Sequence, residues 1–234
     1  MAVLTILPVE GIPEARPGDD VAALVGDALA AGPGLVDGDV VVVTHKVISK
    51  AEGQIVELTD DGPDSHRFLV EQESVRIIRR RGPLVIAQTR HGFICANAGV
   101  DRSNAGPARA ILLPEDPDRS ANRIRTRLAH RFGATIAVVV TDTFGRVWRR
   151  GLVDVAIGVA GIAPIDDLRG STDTYGKVLE VSEVATVDEI AAAADLVMGK
   201  ATGVPAAVVR GLEWKASSDG IDVLIRPPSE DLFR

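Results

Sequence analysis

Two periodicities take turns along the chain. Short runs rich in valine and isoleucine, bordered by Gly, Pro or Asp, occupy positions 3–9, 39–47, 83–89, 109–114, 135–141, 153–161, 205–211 and 222–227. Such runs are the mark of β-strands. Between them apolar residues recur at helical spacing. One helix is expected after Pro17-Gly18, over 19–31, closed by Gly32. A second is expected from 64 to Gly82-Pro83, with Arg79, Arg80 and Arg81 in its last turn, where cations suit the helix dipole. A third covers 116–132 and ends at Gly133. The sharpest start signal is Thr186-Val-Asp-Glu189, a capping box opening a helix that Gly199 closes. Strands and helices alternate without strict βαβ order. The expected fold class is therefore α+β, mixed sheets with flanking helices, in one domain over 1–234 with a candidate subdomain boundary near 60–115.

Composition narrows the class. At 234 residues the chain can bury a substantial core, and 46% hydrophobic residues with only 3% aromatic ones make that core Val, Ile, Leu and Ala. A net charge of −7 argues against nucleic acid as a partner. The single cysteine, Cys95, excludes an intrachain disulfide and any CxxC metal site, and suits a reducing compartment. The N-terminus meets Glu10 after a short apolar run and has no basic leader, so it reads as a first strand. No apolar run approaches the roughly 18 residues that span a bilayer. A cytoplasmic protein with no membrane partner is expected.

The common nucleotide cradles are missing. GxxxxGK[ST] fails around Gly199-Lys200, where Ala194 and Ala201 stand at required positions, and "GPGLVDG" (32–38) follows a helix and is not GxGxxG. There is no GxSxG or HExxH, and His45, His66, His91 and His130 lack zinc-like spacing.

Four other segments hold candidate chemistry. "VVVTDTFGRVWRRG" (138–151) puts Asp142 and Thr143 where a buried strand gives way to a loop, followed by Arg146, Arg149 and Arg150. A carboxylate and a hydroxyl suit a hard cation, and guanidinium groups suit phosphate or carboxylate. The competing reading is a turn aspartate beside solvated arginines. "TRHGFICANAGVDRSN" (89–104) is too small and polar for the interior of a regular element and suits a ligand-lining loop. It offers Asp101 as a second carboxylate and Asn104 as a hydrogen-bonding group, against an Asx-rich turn. Cys95 there, between apolar neighbours, reads as a core residue rather than a nucleophile. "VVVVTHKVISKAEG" (40–53) brings His45, Lys46 and Lys50 after an apolar run, as phosphate-neutralising charges or as a protected strand edge. "VMGKATGVP" (197–205) supplies Gly199, Lys200, Thr202 and Gly203 for close backbone approach to an anion, or a plain glycine cap.

In this order and at these spacings the segments, with "LPVEGIPE" near the start, closely resemble the coenzyme F420:L-glutamate ligase family, the γ-glutamyl ligases of deazaflavin cofactor biosynthesis. The pairing of "AGVD-x-SN" with "TDTFGR-x-WR-x-G" is the most specific part. The resemblance implies addition of L-glutamate through γ-linkages to the deazaflavin precursor, with GTP converted to GDP and phosphate through an acyl phosphate. It implies paired Mn²⁺ or Mg²⁺ on Asp101, Asp142 and Thr143, with K⁺ a further candidate. It implies GTP contacts from Ile12, Pro13, Glu14, Ala15, His45, Lys50 and Asn104, and from the turn carrying Met198, Gly199, Lys200, Thr202 and Gly203. It also implies an intertwined homodimer. Arg146 is our own candidate for a catalytic group meeting phosphate or glutamate carboxylate. Actinobacterial members often carry a fused nitroreductase-like domain; this chain stops at "RPPSEDLFR", so ligation without flavin chemistry is expected. Two alternatives remain at this level: a metal-dependent phosphohydrolase using water as acceptor, and a non-catalytic dimeric binding module.

Overall fold

The structure, a computed structural model, describes residues 3–232; Met1, Ala2, Phe233 and Arg234, which the 1–234 domain assignment takes in, lie outside it. In chain order the first half comprises β1 (Thr5–Pro8), α1 (Val21–Ala31), β2 (Val40–Thr44), α2 (His45–Ala51), β3 (Ile55–Glu57), α3 (Pro63–Gln72), β4 (Ser74–Arg81), β5 (Leu84–Thr89), β6 (Ile94–Ala96) and β7 (Arg109–Ile111). The second half comprises α4 (Pro117–Phe132), β8 (Ala137–Gly145), β9 (Leu152–Ala160), β10 (Asp166–Asp167), β11 (Glu183–Val184), α5 (Thr186–Met198) and β12 (Ala206–Arg210). The arrangement is α+β, as expected.

The main sheet runs β1-β12-β2-β8-β9, with β2 and β8 parallel and every other neighbour antiparallel. Val40 to Val43, Ala137 to Val140 and Ala206 to Val209 are essentially inaccessible. Strands covered on both faces need no polar alternation, which explains the unbroken valine runs. Helix α4 packs on β8, β9 and α1, while α5 crosses all five strands. The outer edge of β9 is closed by carboxylates from two helices: Ala156 N–H donates to Asp188 at 2.9 Å and Val159 N–H to Asp118 at 2.7 Å. Those N–H groups would otherwise be an open sheet edge. Ile157 is an extra residue in β9, between the pairs Val140–Gly158 and Thr141–Ala156, and the bulge bends the strand where it leaves the core.

A second, smaller hydrophobic cluster gathers Leu69, Val70, Val85, Ala87, Ala98, Val100, Ala110 and Leu112. It underlies the antiparallel meander β4-β5-β6 and adjoins the β3–β7 pair.

Four expectations change. The helix expected over 64–81 ends at Gln72, and 74–81 is strand β4. Gly82-Pro83 does stop an element, but as the two-residue turn between the paired Arg81 and Leu84, with Gly82 at φ 58°. The β-branched Val75, Ile77 and Ile78 favour the strand. The strand expected over 39–47 ends at Thr44, and His45 opens α2. There the sheet ends, and one-turn spacing suits His45 with Ser49, whose side chains approach to 3.3 Å. Positions 222–227 form no strand; the first three belong to a 3₁₀ turn, Ile221–Leu224, and Ile221, Leu224 and Ile225 pack singly onto the main core. Helix α5 starts as expected, yet Thr186 turns its hydroxyl to the Val184 carbonyl at 3.5 Å instead of capping. Elsewhere the expected ends hold: α4 starts just after Asp116, which accepts from Arg119 N–H at 2.9 Å, and Gly133 closes it at φ 64°. Among the described residues no helix is long and apolar enough to cross a membrane.

Candidate active site

The parallel pairing of β2 and β8 ends where β2 does. Thr44, the last residue of β2, pairs with Thr141 of β8, and β8 continues through Asp142 and Thr143. Ligands of open sheets settle at such carboxyl ends. Here they border a cleft of about 570 Å³, a size suited to a small-molecule ligand.

Five stretches of the chain converge on it. Ile12, Pro13, Glu14 and Ala15 come from the loop after β1, Lys46 and Lys50 from α2, and Ser103 and Asn104 from the loop after β6. Met198, Gly199, Lys200 and Gly203 come from the turn between α5 and β12, with Thr143 from β8. Gly199 at φ 55° and Gly203 at φ 74° give that turn its shape. The Thr202 side chain is not part of the lining; it folds back to bond the Met198 carbonyl and accepts from Val204 N–H at 3.1 Å.

Beneath the rim lies a chain of charges. Lys46 and Lys50, one helical turn apart, both face the cleft; Lys46 Nζ lies 2.9 Å from Asp101, and the buried Lys50 is ion-paired with the exposed Glu14. Asp101 also accepts from Ser103 N–H at 2.6 Å and Ser103 Oγ at 2.8 Å. Burial works against its ionisation, but Lys46 and Ser103 outweigh burial and hold the carboxyl below the usual value. His45 is fully buried, outside the lining, with Nε2 at 3.3 Å from Asp142 Oδ1. That contact is not aligned as a hydrogen bond, so its attraction is electrostatic. Asp142 also accepts from Thr143 N–H at 2.7 Å. Burial pushes its carboxyl up, yet His45, Lys46 and that N–H together hold it below the usual value. Lys46 thus acts on both Asp101 and Asp142.

Successive strand residues point to opposite faces. Asp142 faces His45, whereas Thr143 pairs across the ladder with Asp154, whose Oδ2 accepts from Thr141 Oγ1 at 3.0 Å. Asp154 and Asp195 line the cleft. Neither figures among the residues expected from the sequence. The available signal for Asp154 was a lone charge inside an otherwise apolar strand; Asp195 looks like any polar position on a helix. Arg146, with Arg149 and Arg150, is exposed on the β8–β9 turn, outside the cleft lining.

The 89–104 loop explains its own composition. Asn97, Ala98 and Gly99 take consecutive left-handed conformations, at φ 51°, 53° and 72°, and Asn97 Oδ1 accepts from Val85 N–H. A Cβ at Gly99 would stand 2.7 Å from Leu113. This tight turn aims Asp101 at Lys46. Cys95 is buried, and burial first, then the charge of Asp142, pushes its thiol up to about 12. It is a core residue, as read from its neighbours.

Fold and cleft together define an α+β protein with a ligand site of mixed charge at the carboxyl ends of its parallel strands. A family model described as F420-0:Gamma-glutamyl ligase matches residues 11–211. The coenzyme F420:L-glutamate ligase of Methanothermobacter thermautotrophicus is 44% identical over 249 residues, covering 99% of this chain and 99% of the relative. The enzymes of that name from Methanopyrus kandleri and Archaeoglobus fulgidus are 41% and 38% identical, again over nearly the full length of both chains. The chain belongs to the F420-0:gamma-glutamyl ligase family.

Proposed function

We infer that this chain is a coenzyme F420:L-glutamate ligase, joining L-glutamate to F420-0. The observation that carries this reading is the convergence, in one cleft, of the segments at 12–15, 46–50, 101–104 and 198–203 with the end of β8. GTP is the co-substrate in this reading. The loop at 12–15, Lys50, Asn104 and the glycine turn hold it, with His45 supporting Asp142 from below. The precursor carboxylate attacks the γ-phosphate and expels GDP, giving an acyl phosphate; the neutral glutamate amine then attacks the acyl carbon, expels phosphate and loses a proton as the amide forms. Such a reaction needs chiefly positioning and charge neutralisation, and Lys46 and Lys50 are the cleft cations nearest the carboxylates.

Asp101, Asp142 and Thr143 offer hard oxygen donors that suit Mn²⁺ or Mg²⁺. Among the described residues no three His, Cys, Asp or Glu side chains cluster as a ready-made cage. Mg²⁺-type sites commonly use one or two carboxylates completed by substrate phosphates, so this donor set fits a cation that arrives with the nucleotide. When bound, that cation neutralises phosphate charge. A second divalent ion beside Thr143 and a K⁺ ion complete the proposal. The segment built on the smaller hydrophobic cluster acts as a subdomain that delivers Asp101 and Asn104. Val147 and Leu152 at the β8–β9 turn, and Tyr175 and Val181 between β10 and β11, are largely exposed; we assign them to a homodimer interface. Light scattering should then give twice the 24.6 kDa chain mass.

The test is mass spectrometry of F420-0 incubated with protein, GTP, Mn²⁺ and L-glutamate, with each component omitted in turn. A glutamate-extended product requiring GTP is expected. GDP release without that product would favour a phosphohydrolase, and nucleotide binding without turnover a binding module.

A further inference from the structure

Asp154 is 5% exposed and is tied through one oxygen only, Oδ2, to Thr141. Its other oxygen, Oδ1, is buried and has no hydrogen-bond partner among the described residues. A buried carboxylate oxygen left without a partner is costly, and such groups in native proteins await a ligand, an ion or a water. Asp154 lines the cleft, and so does Asp195. The two are close enough to sense each other: burial and then the charge of Asp154 push the Asp195 carboxyl up, against the opposing effect of Lys200. The pair lies on the Thr143 side of β8, opposite the Asp142 side. What satisfies Oδ1 is a hydrogen-bond donor, and beside two carboxylates a cationic donor is favoured most.

We propose that Asp154 and Asp195 hold the α-ammonium of the amino-acid substrate. This rests on the ligase reading above, which requires an amine in the cleft. A primary ammonium brings both positive charge and its own N–H donors to Asp154 Oδ1, and a bare metal ion brings only the charge. Lys200, whose charge also reaches Asp195, complements the carboxylate that adjoins the ammonium in any α-amino acid. The arrangement selects α-amino acids over simple dicarboxylates.

Steady-state kinetics with F420-0, GTP, Mn²⁺ and L-glutamate test it in the wild type, Asp154→Asn and Asp195→Asn. Loss of a charge-assisted hydrogen bond should raise KM for L-glutamate by about tenfold to a hundredfold and leave KM for GTP within about twofold. Glutarate, which lacks the amine, should inhibit wild type and variants equally. Asp195→Asn is the more exposed change and serves if Asp154→Asn fails to fold, as judged by circular dichroism. An unchanged KM for glutamate in a folded variant overturns the proposal. So does a loss of Mn²⁺ affinity, read by electron paramagnetic resonance, with glutamate binding intact. If the wild type itself forms no glutamylated product, the ligase reading fails instead, and that outcome is separate from any difference between variants.

Discussion

Asp142→Asn separates a carboxylate that works on a ligand from one that merely holds the fold. The amide keeps the shape, and its carbonyl can still accept from Thr143 N–H, the 2.7 Å bond. It loses the negative charge that faces His45 at 3.3 Å and attracts Lys46. The structural loss, from the attractions to His45 and Lys46, is on the order of a charge-assisted interaction, about 1.5–3 kcal/mol. For a chain of this size that lowers Tm by about 3–12 °C, leaving a folded protein at assay temperature. The functional loss should be far larger. Removing one fixed charge from a site that stabilises a phosphoryl transition state costs on the order of 10²–10³ in rate. The assay is coupled GDP release with F420-0, L-glutamate and Mn²⁺, alongside thermal melting and Mn²⁺ titration. A variant that melts within this range yet retains full turnover and full Mn²⁺ affinity would refute the assignment of Asp142 to the cation.

Other expectations follow from the same contacts. Arg210 clamps the inaccessible Asp39 through two hydrogen bonds, at 2.9 and 2.8 Å. Arg210→Ala should therefore cost about 3–5 kcal/mol in urea unfolding, since it strands a buried charge, and a loss below about 1 kcal/mol would refute that. The Asp101 carboxyl lies below the usual value of 3.8 in the folded state. Its pairing with Lys46 thus contributes stability that is fully present above the unfolded value and is lost as pH falls through the folded one. Asp101→Asn should flatten that acid limb of a urea-stability profile, and an unchanged limb would contradict the pairing. At Gly158 an added Cβ would stand 2.6 Å from the Pro117 backbone carbon and Cβ. Gly158→Ala should push the start of α4 off β9 and destabilise by about 1–3 kcal/mol or more, measured by thermal melting.

The sequence by itself determined whatever acts over a few residues. Asp116 and Gly133 delimit α4, the valine runs mark the strands buried on both faces, and the short motifs around Asp101 and Asp142 point to the family. Each of these signals is local, because caps, β-branching and turn glycines operate within one turn or one strand. Local signals also misled where two elements meet without a break. The basic tail of α3 turned out to be β4, and the end of β2 became α2, since pairing with β5 and the end of the sheet are events at a distance. The cleft belongs wholly to the tertiary structure. His45 reaches Asp142 only because β2 and β8 run parallel in register and β2 turns into α2 where β8 continues. Asp154 reaches Thr143 only because β9 folds back on β8. A bulge, a register and a strand end place those side chains, and each depends on packing between segments far apart in the chain.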